Sequence, residues 1–303
     1  MSAAGRRVRV IFNAKSGDGH ATSAQIRTVF EQYGCECTMT ELGPGVDLGV
    51  LAGEDDLRVV WVAAGGDGTV NAVAGVIAGT NRVMAVLPVG TLNHFARDLK
   101  MPGELTQAIE VAGRCGWRPI DAAEANGRVF VNCSSLGIYP EVVLDRDRMT
   151  KSRGWSKWSA MLIAATRAFV RFRQLEVELE VDGVVRRWRT PLLFVGNNAY
   201  QMEGSEAGQR SCLDQGLLAV IVASHMSRWA AARMVLAAMV GRMRKLPELE
   251  HFLVTRFTVR TRKHRLRVAF DGEVCRMAPP VTYCSQPGVL RVIAPDGKHE
   301  VGA

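Results

Sequence analysis

Apolar runs of strand length alternate with helical patterns over the first third of the chain. After the first, third and fourth runs, the chain has patterns typical of helices. The predicted strands span residues 8–12, 36–40, 59–63 and 83–87, and the predicted helices span 21–33, 104–112 and two stretches that begin at Thr69 and Leu92. Because parallel strands need crossover connections, this alternation predicts an α/β domain with a mostly parallel sheet.

The pattern changes after residue 117. The pairs Asn126-Gly127 and Asp182-Gly183 suit tight turns between extended segments. Further strand-like runs lie at residues 191–196, 216–223, 252–260, 265–270 and 288–293, and helical patterns lie at 155–172 and 227–244. This part of the chain predicts a β-rich, antiparallel, sandwich-like second domain. The predicted domains are residues 1–117 and 118–294.

The composition is that of a globular protein, with 48% hydrophobic and 22% charged residues in a chain of 303. The longest apolar helical stretch, 229–240, is interrupted by Arg233 and is shorter than the roughly 20 residues that span a bilayer. We therefore expect no transmembrane segment and no secretory signal. Seven cysteines without a CxxC pair indicate a reducing compartment, and we expect a cytoplasmic protein.

Positive charge is concentrated in the second part of the chain. Residues 1–140 contain 12 basic and 14 acidic residues, whereas residues 141–303 contain 26 and 16. A basic face attracts nucleic acid or an anionic membrane, although a solvated strand face explains any one cluster equally well. The run RTRKHRLR at 260–267 lacks the interleaved aromatic residues of a base-stacking platform, which disfavours nucleic acid.

A glycine-rich segment, AAGGDGTVNAV at residues 63–73, joins a buried strand to a helix. Glycines at such a turn let backbone N–H groups and the helix N-terminus approach phosphate oxygens. Asp67 offers a carboxylate for Mg²⁺ beside a polyphosphate, and Thr69 offers a hydroxyl. A tight structural turn with Thr69 as its cap explains this single segment equally well.

Two other predicted strands end in similar loops. NAKSGDG at 13–19 follows the first strand, and PVGTLNHFARDL at 88–99 includes the end of the fourth. Ligands of open parallel sheets bind outside the carboxyl ends of the strands. Three small, polar loops at one edge therefore predict a phosphate-binding cleft.

These three loops resemble the signature loops of the diacylglycerol kinase catalytic-domain family, in particular the bacterial lipid kinases, with sphingosine and ceramide kinases as relatives. The likeness continues in VFVNCSSLGIYPEVV (129–143), LLFVGNNAYQMEG (192–204), LDQGLLAVIV (213–222) and VAFDGEV (268–274). The resemblance covers nearly the whole chain in the expected order. It also implies that residues 295–303 return to the first domain.

The resemblance implies ATP- and Mg²⁺-dependent phosphorylation of a lipid hydroxyl, in phospholipid metabolism, at a site between the two domains. It implies that the catalytic residues are Asp67, Asp271 and Glu273, with either of the last two as the proton acceptor. The implied nucleotide-binding residues are Asn13, Lys15, Ser16, Gly17, Thr40, Gly65, Gly66, Asp67, Gly68, Thr69, Val70, Asn71, Thr91 and Asn93. Without the resemblance, Asp271-Gly272 is typical of a simple hairpin turn.

The chain departs from the family pattern at several positions. His94 stands where many members have Asp, and Ala72 replaces a common Glu. The family's structural Mg²⁺ site corresponds to Cys212, Asp214, Gln215 and Leu217, where Gln215 replaces an Asp. A neutral amide oxygen is a poorer ligand for a hard cation, although Asp214 is adjacent.

The second predicted domain also suits a lipid partner at the inner face of a membrane. Trp155, Trp158 and Met161 lie at helical spacing beside basic residues, as in an interfacial helix, and core packing explains the same stripe equally well. A second copy of the chain is a further candidate partner. The alternative functions are an NAD-kinase-like phosphotransferase and a non-catalytic nucleotide- or lipid-binding regulator.

Overall fold

The structure is a computed structural model, and it describes residues 5–14, 22–153, 174–201, 208–224 and 249–301. The two predicted helices at 155–172 and 227–244 lie outside these residues, and so does the proposed membrane-facing stripe of the first. We use "N-terminal part" for the described residues before Trp117 and "C-terminal part" for those from Trp117 onward.

The N-terminal part has the predicted alternation of strands and helices. Its elements are β1 (Arg7–Phe12), α1 (Ser23–Gln32), β2 (Glu36–Glu41), α2 (Leu48–Glu54), β3 (Val60–Gly65), α3 (Asp67–Ile77), β4 (Val83–Pro88), α4 (His94–Asp98) and α5 (Leu105–Arg114). The four strands are parallel in the order β2-β1-β3-β4. Every residue of β3 is buried, as expected for a central strand of such a sheet.

Side-chain caps begin several of these helices. Thr22 and Gln25 form a reciprocal capping box at α1, and Glu104 accepts the backbone N–H groups of Thr106 and Gln107 at α5. Asp47 caps α2, a helix that the sequence pattern did not predict.

The C-terminal part is mostly antiparallel. Its elements are β5 (Trp117–Ala125), β6 (Arg128–Phe130), β7 (Cys133–Gly137), α6 (Ile138–Arg153), β8 (Leu175–Val181), β9 (Val184–Thr190), β10 (Leu192–Asn197), β11 (Leu218–Ala223), β12 (Leu249–Val254), β13 (Arg256–Arg260), β14 (Leu266–Phe270), β15 (Glu273–Met277) and β16 (Val281–Ile293). Six strands form one sheet in the order β12-β11-β10-β7-β14-β15. The predicted fold class, a mostly parallel α/β part followed by an antiparallel β-rich part, is confirmed.

The strand β16 belongs to both parts. It runs antiparallel to β13 and β5, and its last residues pair in parallel with β4, where Arg291 lies opposite Val83. The four parallel strands therefore belong to one ten-stranded sheet, together with the antiparallel strands β5, β6, β8, β9, β13 and β16. The predicted strand 288–293 is only the end of this longer strand.

The single strand predicted at 252–260 is wrong. It is two strands that separate at Thr255, with β12 in the six-stranded sheet and β13 in the ten-stranded sheet. The two predicted tight turns are confirmed, because Asn126, Gly127, Asp182 and Gly183 all have positive φ angles.

The chain returns to Trp117 at its C-terminal end. The Trp117 and His299 rings stack with centroids 4.4 Å apart, and the two residues exchange backbone hydrogen bonds. The exact domain boundaries stay a prediction. Among the described residues, no helix combines the length and apolar character needed to cross a membrane.

Candidate functional site

The glycine-rich turn between β3 and α3 packs closely on the loop after β4. A Cβ atom added at Gly90 would overlap Cα of Gly66, and one added at Gly65 would overlap the Thr69 hydroxyl. At Gly66, an added Cβ would make ordinary contact with Cα of Gly90 at 3.7 Å. Because glycine has no side chain, the two loops can pack backbone against backbone at these positions.

The end of β1 joins the same cluster. The backbone N–H of Asn13 donates to the carbonyl of Ala64. The side-chain amide nitrogen of Asn13 lies 3.4 Å from the Thr69 hydroxyl oxygen. Thr69, Val70 and Asn71 are buried within α3. A phosphate approaching this turn would consequently meet the backbone and Gly68 rather than these three side chains.

The other residues predicted to bind the nucleotide have different environments. Asn93 has a left-handed φ of 49°, and its amide group bonds to Gly90 and to the carbonyl of Pro88, so that it holds the loop in shape. Thr91 is exposed. The Thr40 hydroxyl on β2 accepts from Arg9. Lys15, Ser16 and Gly17 lie outside the described residues.

Asp67 begins α3 and connects it to α4. Its carboxylate accepts the backbone N–H groups of His94 at 3.3 Å and Phe95 at 3.2 Å, which lie in the first turn of α4. Both helix N-termini favour negative charge at this point. The imidazole of His94 lies 2.8 Å from the Arg97 guanidinium.

Asp67 also contacts the C-terminal part. The side-chain amide of Asn132, between β6 and β7, donates to Asp67 Oδ1 at 3.3 Å. Asn132 is buried, with 6% of its surface exposed. This contact brings the glycine-rich turn against the segment that is hydrogen-bonded to Asp271.

Asp271 lies in the turn between β14 and β15, with a φ of 47°. Its carboxylate accepts three backbone N–H groups, those of Val131 at 2.9 Å, Asn132 at 3.0 Å and Cys133 at 2.7 Å. Burial raises the pKa of Asp271 to about 6, although these bonds and the Arg210 cation act in the opposite direction. Both carboxylate oxygens are therefore engaged in holding the backbone of Val131 to Cys133.

Glu273 has a different environment. Its side chain is 62% exposed and forms an ion pair with Arg128 at 3.2 Å. A methyl group added at Gly68 would lie 3.4 Å from Glu273 Oε1. Of the two predicted acidic residues, Glu273 is thus the one whose carboxylate is open toward the glycine-rich turn.

Sequence reasoning did not assign roles to Asn132, Asp98 or Arg210. Asn132 was visible within the motif VFVNCSSLG, but nothing in that motif showed that its amide contacts Asp67. The Arg210 side chain is fully buried and pairs with Asp98 at 2.7 Å. Arg210 lies in a polar loop before β11, where no local pattern distinguished it from a surface residue.

The predicted structural magnesium site has few available ligands. Cys212, Asp214 and Gln215 are exposed, and the Gln215 amide oxygen already accepts the N–H of Ala199. The carbonyl of Leu217 accepts from Asn198. No trio of His, Cys, Asp or Glu side chains within the described ranges is arranged to bind a metal ion. This loop offers few free oxygen ligands for Mg²⁺, and the structural magnesium site stays a prediction.

The same loop is fastened by a buried carboxylate. Asp121, with 1% of its surface exposed, accepts the N–H of Gly216 at 2.6 Å and that of Gly288 at 2.8 Å. Internal hydrogen bonds therefore hold this loop against β5 and β16.

Two protein-family models match this chain. The family model described as the diacylglycerol kinase catalytic domain matches residues 7–125, and the one described as the YegS C-terminal NAD kinase beta sandwich-like domain matches residues 142–294. The chain is 28% identical to the diacylglycerol kinase of Bacillus subtilis strain 168 over 282 residues, which are 90% of this chain and 92% of that one. It is 25% identical to a diacylglycerol kinase of Staphylococcus aureus strain Newman, covering 80% of this chain and 79% of the relative.

Solved structures have the same fold. A crystal structure of a diacylglycerol kinase from Bacillus anthracis strain Sterne superposes with a TM-score of 0.67 at 18% identity, covering 96% of this chain and 97% of the other. A second structure from the same organism gives a TM-score of 0.75 at 21% identity, with 96% of each chain covered. At these identities the likeness shows a shared fold.

Proposed function

Because this chain belongs to the diacylglycerol kinase-like family of lipid kinases with a YegS-type C-terminal domain, we propose that it transfers the γ-phosphoryl group of ATP to the hydroxyl of a diacylglycerol-like lipid. One observation carries the proposal. Asp67 of the glycine-rich turn is joined through Asn132 to the segment that holds Asp271. The proposed site lies where the N-terminal and C-terminal parts meet.

The glycine-rich turn is the proposed nucleotide end. A glycine-rich turn at the start of α3 suits phosphate oxygens, because helix N-termini present N–H groups and a favourable dipole. Asp67 supplies one carboxylate, and Mg²⁺ bound with nucleotides commonly uses one or two carboxylates together with the phosphates. The residues present fit that arrangement. Mg²⁺ would neutralise charge that develops on the transferred group.

Glu273 is the proposed proton acceptor. Its exposed carboxylate accepts the proton of the lipid hydroxyl while that oxygen bonds to the γ-phosphorus, the bond to the bridging oxygen breaks, and ADP leaves. Arg128 orients Glu273 through their ion pair. Asp271 has both oxygens in backbone hydrogen bonds and is proposed to anchor the segment Val131 to Cys133.

We propose that the lipid is met at an anionic membrane surface. A cavity of about 370 Å³ is lined by Lys263, Arg265, Arg267 and Arg276 beside Glu141, which pairs with Arg267. Juxtaposed basic side chains are attracted to anionic lipids. Pelleting with vesicles of phosphatidylcholine alone, or mixed with phosphatidylglycerol, tests this. Stronger pelleting with the anionic vesicles is expected, and equal pelleting would contradict it.

The remaining expectations concern location and self-association. All seven cysteines are free, which supports the proposed reducing, cytoplasmic location. A homodimer stays a prediction, and light scattering of the purified chain measures it directly.

Transfer of radiolabelled phosphate from ATP tests the function. We expect labelling of a diacylglycerol-like lipid from a panel of lipid alcohols, and loss of labelling in Asp67→Ala. Glu110→Ala is the control, because it likewise removes a carboxylate, and Glu110 forms an exposed ion pair with Arg114 on α5. Labelling of NAD rather than lipid would favour the NAD-kinase-like alternative. ATP binding without transfer to any acceptor would favour a non-catalytic regulator.

A further inference from the structure

The guanidinium of Arg210 is fully buried between the two parts of the molecule. It donates to Asp98 Oδ2 at 2.7 Å, the carbonyl of Val131 at 2.6 Å, the carbonyl of Asn197 at 3.2 Å, and Asn132 Oδ1 at 2.7 Å. Phe95 and Tyr200 lie against the guanidinium at 5.9 and 5.6 Å from their ring centroids. One side chain thus contacts α4, the loop before β11, and the segment between β6 and β7.

Arg210 determines which way the Asn132 amide faces. A guanidinium has only donors, so it requires the oxygen of Asn132 on its side. The amide nitrogen of Asn132 is then directed to the opposite side, where it donates to Asp67. Without Arg210, the amide would be free to turn its oxygen toward the Asp67 carboxylate, where two acceptors would face each other.

Arg210 also helps to fix residues Val131 to Cys133, which we call the clamp segment. The N–H groups of this segment donate to Asp271. On the opposite side of the segment, the carbonyl of Val131 accepts from the side chains of Arg210 and Asn197. The carbonyl of Asn132 accepts from the Tyr200 hydroxyl. The clamp segment is therefore hydrogen-bonded on both sides of its backbone.

We propose that Arg210, held by Asp98, is a positioning residue that keeps the clamp segment at the distance and orientation needed to align Asp67 with the acidic pair. Asp98 belongs to α4, whose first N–H groups also hold Asp67. The same short helix thus fixes Asp67 directly and the clamp segment through Arg210. This inference rests on the proposed function.

A purely structural role is a weaker account of this ion pair. Buried ion pairs often contribute no more stability than apolar residues of the same volume, because both charges lose their hydration. Arg82 offers an internal comparison. It is also buried, and its guanidinium donates to the carbonyls of Ala52, Asp55 and Asp56, far along the chain from the clamp segment.

The test compares Arg210→Lys with Arg82→Lys. Lysine keeps the charge but cannot reach all four acceptors of Arg210 at once. For Arg210→Lys we expect kcat for lipid phosphorylation to fall about a hundredfold, the effect typical of a small misalignment, with KM for ATP changed less than threefold. For Arg82→Lys we expect a lower Tm and an unchanged kcat. Equal effects of the two substitutions on kcat would overturn the proposal.

A second variant covers the case in which Arg210→Lys does not fold. Asp98→Asn keeps the size of the side chain and one acceptor, and we expect a kcat lowered about tenfold. A wild-type kcat in Asp98→Asn would overturn the proposal. Rescue by Asp98→Glu, relative to Asp98→Asn, is expected because the carboxylate returns.

A readout without turnover separates this inference from the proposed function. If the wild-type chain phosphorylates no lipid, the function fails, and the orientation of Asn132 is still measurable by NMR. We expect the Asn132 side-chain amide protons to exchange slowly in the wild-type chain and rapidly in Arg210→Lys. Unchanged exchange would overturn the positioning role.

Discussion

The side-chain amide of Asn132 donates to Asp67 Oδ1 across 3.3 Å. The two residues belong to different parts of the chain, and each is tied to a further group. Asp67 holds the first turn of α4, and Asn132 lies in the clamp segment that Asp271 binds. The contact therefore makes the geometry of the glycine-rich turn depend on the position of the β14–β15 hairpin.

Asn132→Asp is expected to reduce phosphate transfer about a hundredfold. The new carboxylate still accepts from Arg210, but it places a second negative charge beside Asp67. Initial rates at saturating ATP measure the effect. Asn126→Asp is the control, since the Asn126 amide donates to a neutral carbonyl, that of Pro280, in an exposed turn. Equal rates in both variants would argue against the Asp67 contact.

Glu273→Gln and Asp271→Asn are expected to differ in stability. Glu273→Gln should lower kcat by roughly 10² to 10⁴, the contribution typical of a general base, with little change in Tm because the side chain is exposed. Asp271→Asn should lower the free energy of unfolding by about 1–3 kcal/mol, because an amide N–H₂ would face backbone donors. Thermal melts and rate assays of both variants check this. A stable Asp271→Asn would contradict the anchoring role.

Gly90→Ala is expected to disrupt the proposed nucleotide site. Its new Cβ would overlap Gly66, so we expect a loss of about 1–3 kcal/mol of stability and weaker ATP binding. Gly75→Ala is the matched control within α3, where an added Cβ meets nothing within 4 Å. That change should stabilise the chain by about 0.5–1 kcal/mol and leave ATP binding intact. Calorimetric titration with ATP distinguishes the two.

The pKa of Asp271 predicts a pH dependence of stability. Its carboxyl has a pKa of about 6 when folded and about 3.9 when unfolded, so the folded state binds more protons between these values. The contribution of Asp271 to the free energy of unfolding is therefore expected to decrease as the pH rises from about 4 to about 6. The unfolding free energy of the wild-type chain minus that of Asp271→Asn should fall across this range. A rising difference would mean that the backbone hydrogen bonds outweigh burial.

The local patterns of the N-terminal part were sufficient to predict its architecture. Strands such as β3 are continuously apolar, and the polar loops after them are distinct in composition. Helix α2 was missed because Gly49 and Gly53 lower the helix propensity of a seven-residue segment whose cap, Asp47, is its main signal. The division at Thr255 was missed because both strands are extended and differ only in the sheet that they join.

The candidate site was predictable where it depends on loops and unpredictable where it depends on long-range contacts. The glycine-rich turn and the Asp271-Gly272 turn have recognisable sequences. The different environments of Asp271 and Glu273 arise from residues 131–133 and Arg128, which are more than a hundred positions away. Arg210 and Asp98 are likewise 112 positions apart, and no pattern along the chain pairs them.

The long strand β16 changes register between Gln286 and Leu290, where Gly288 has a φ of 60° and donates to Asp121. Irregularities of this kind bend a strand without ending it. The two parts of the molecule are therefore connected by a continuous, hydrogen-bonded strand with one local kink. A movement of β13 relative to β4, the two strands that β16 joins, therefore has to bend β16, so its amplitude is governed by the elasticity of the sheet rather than by a flexible linker.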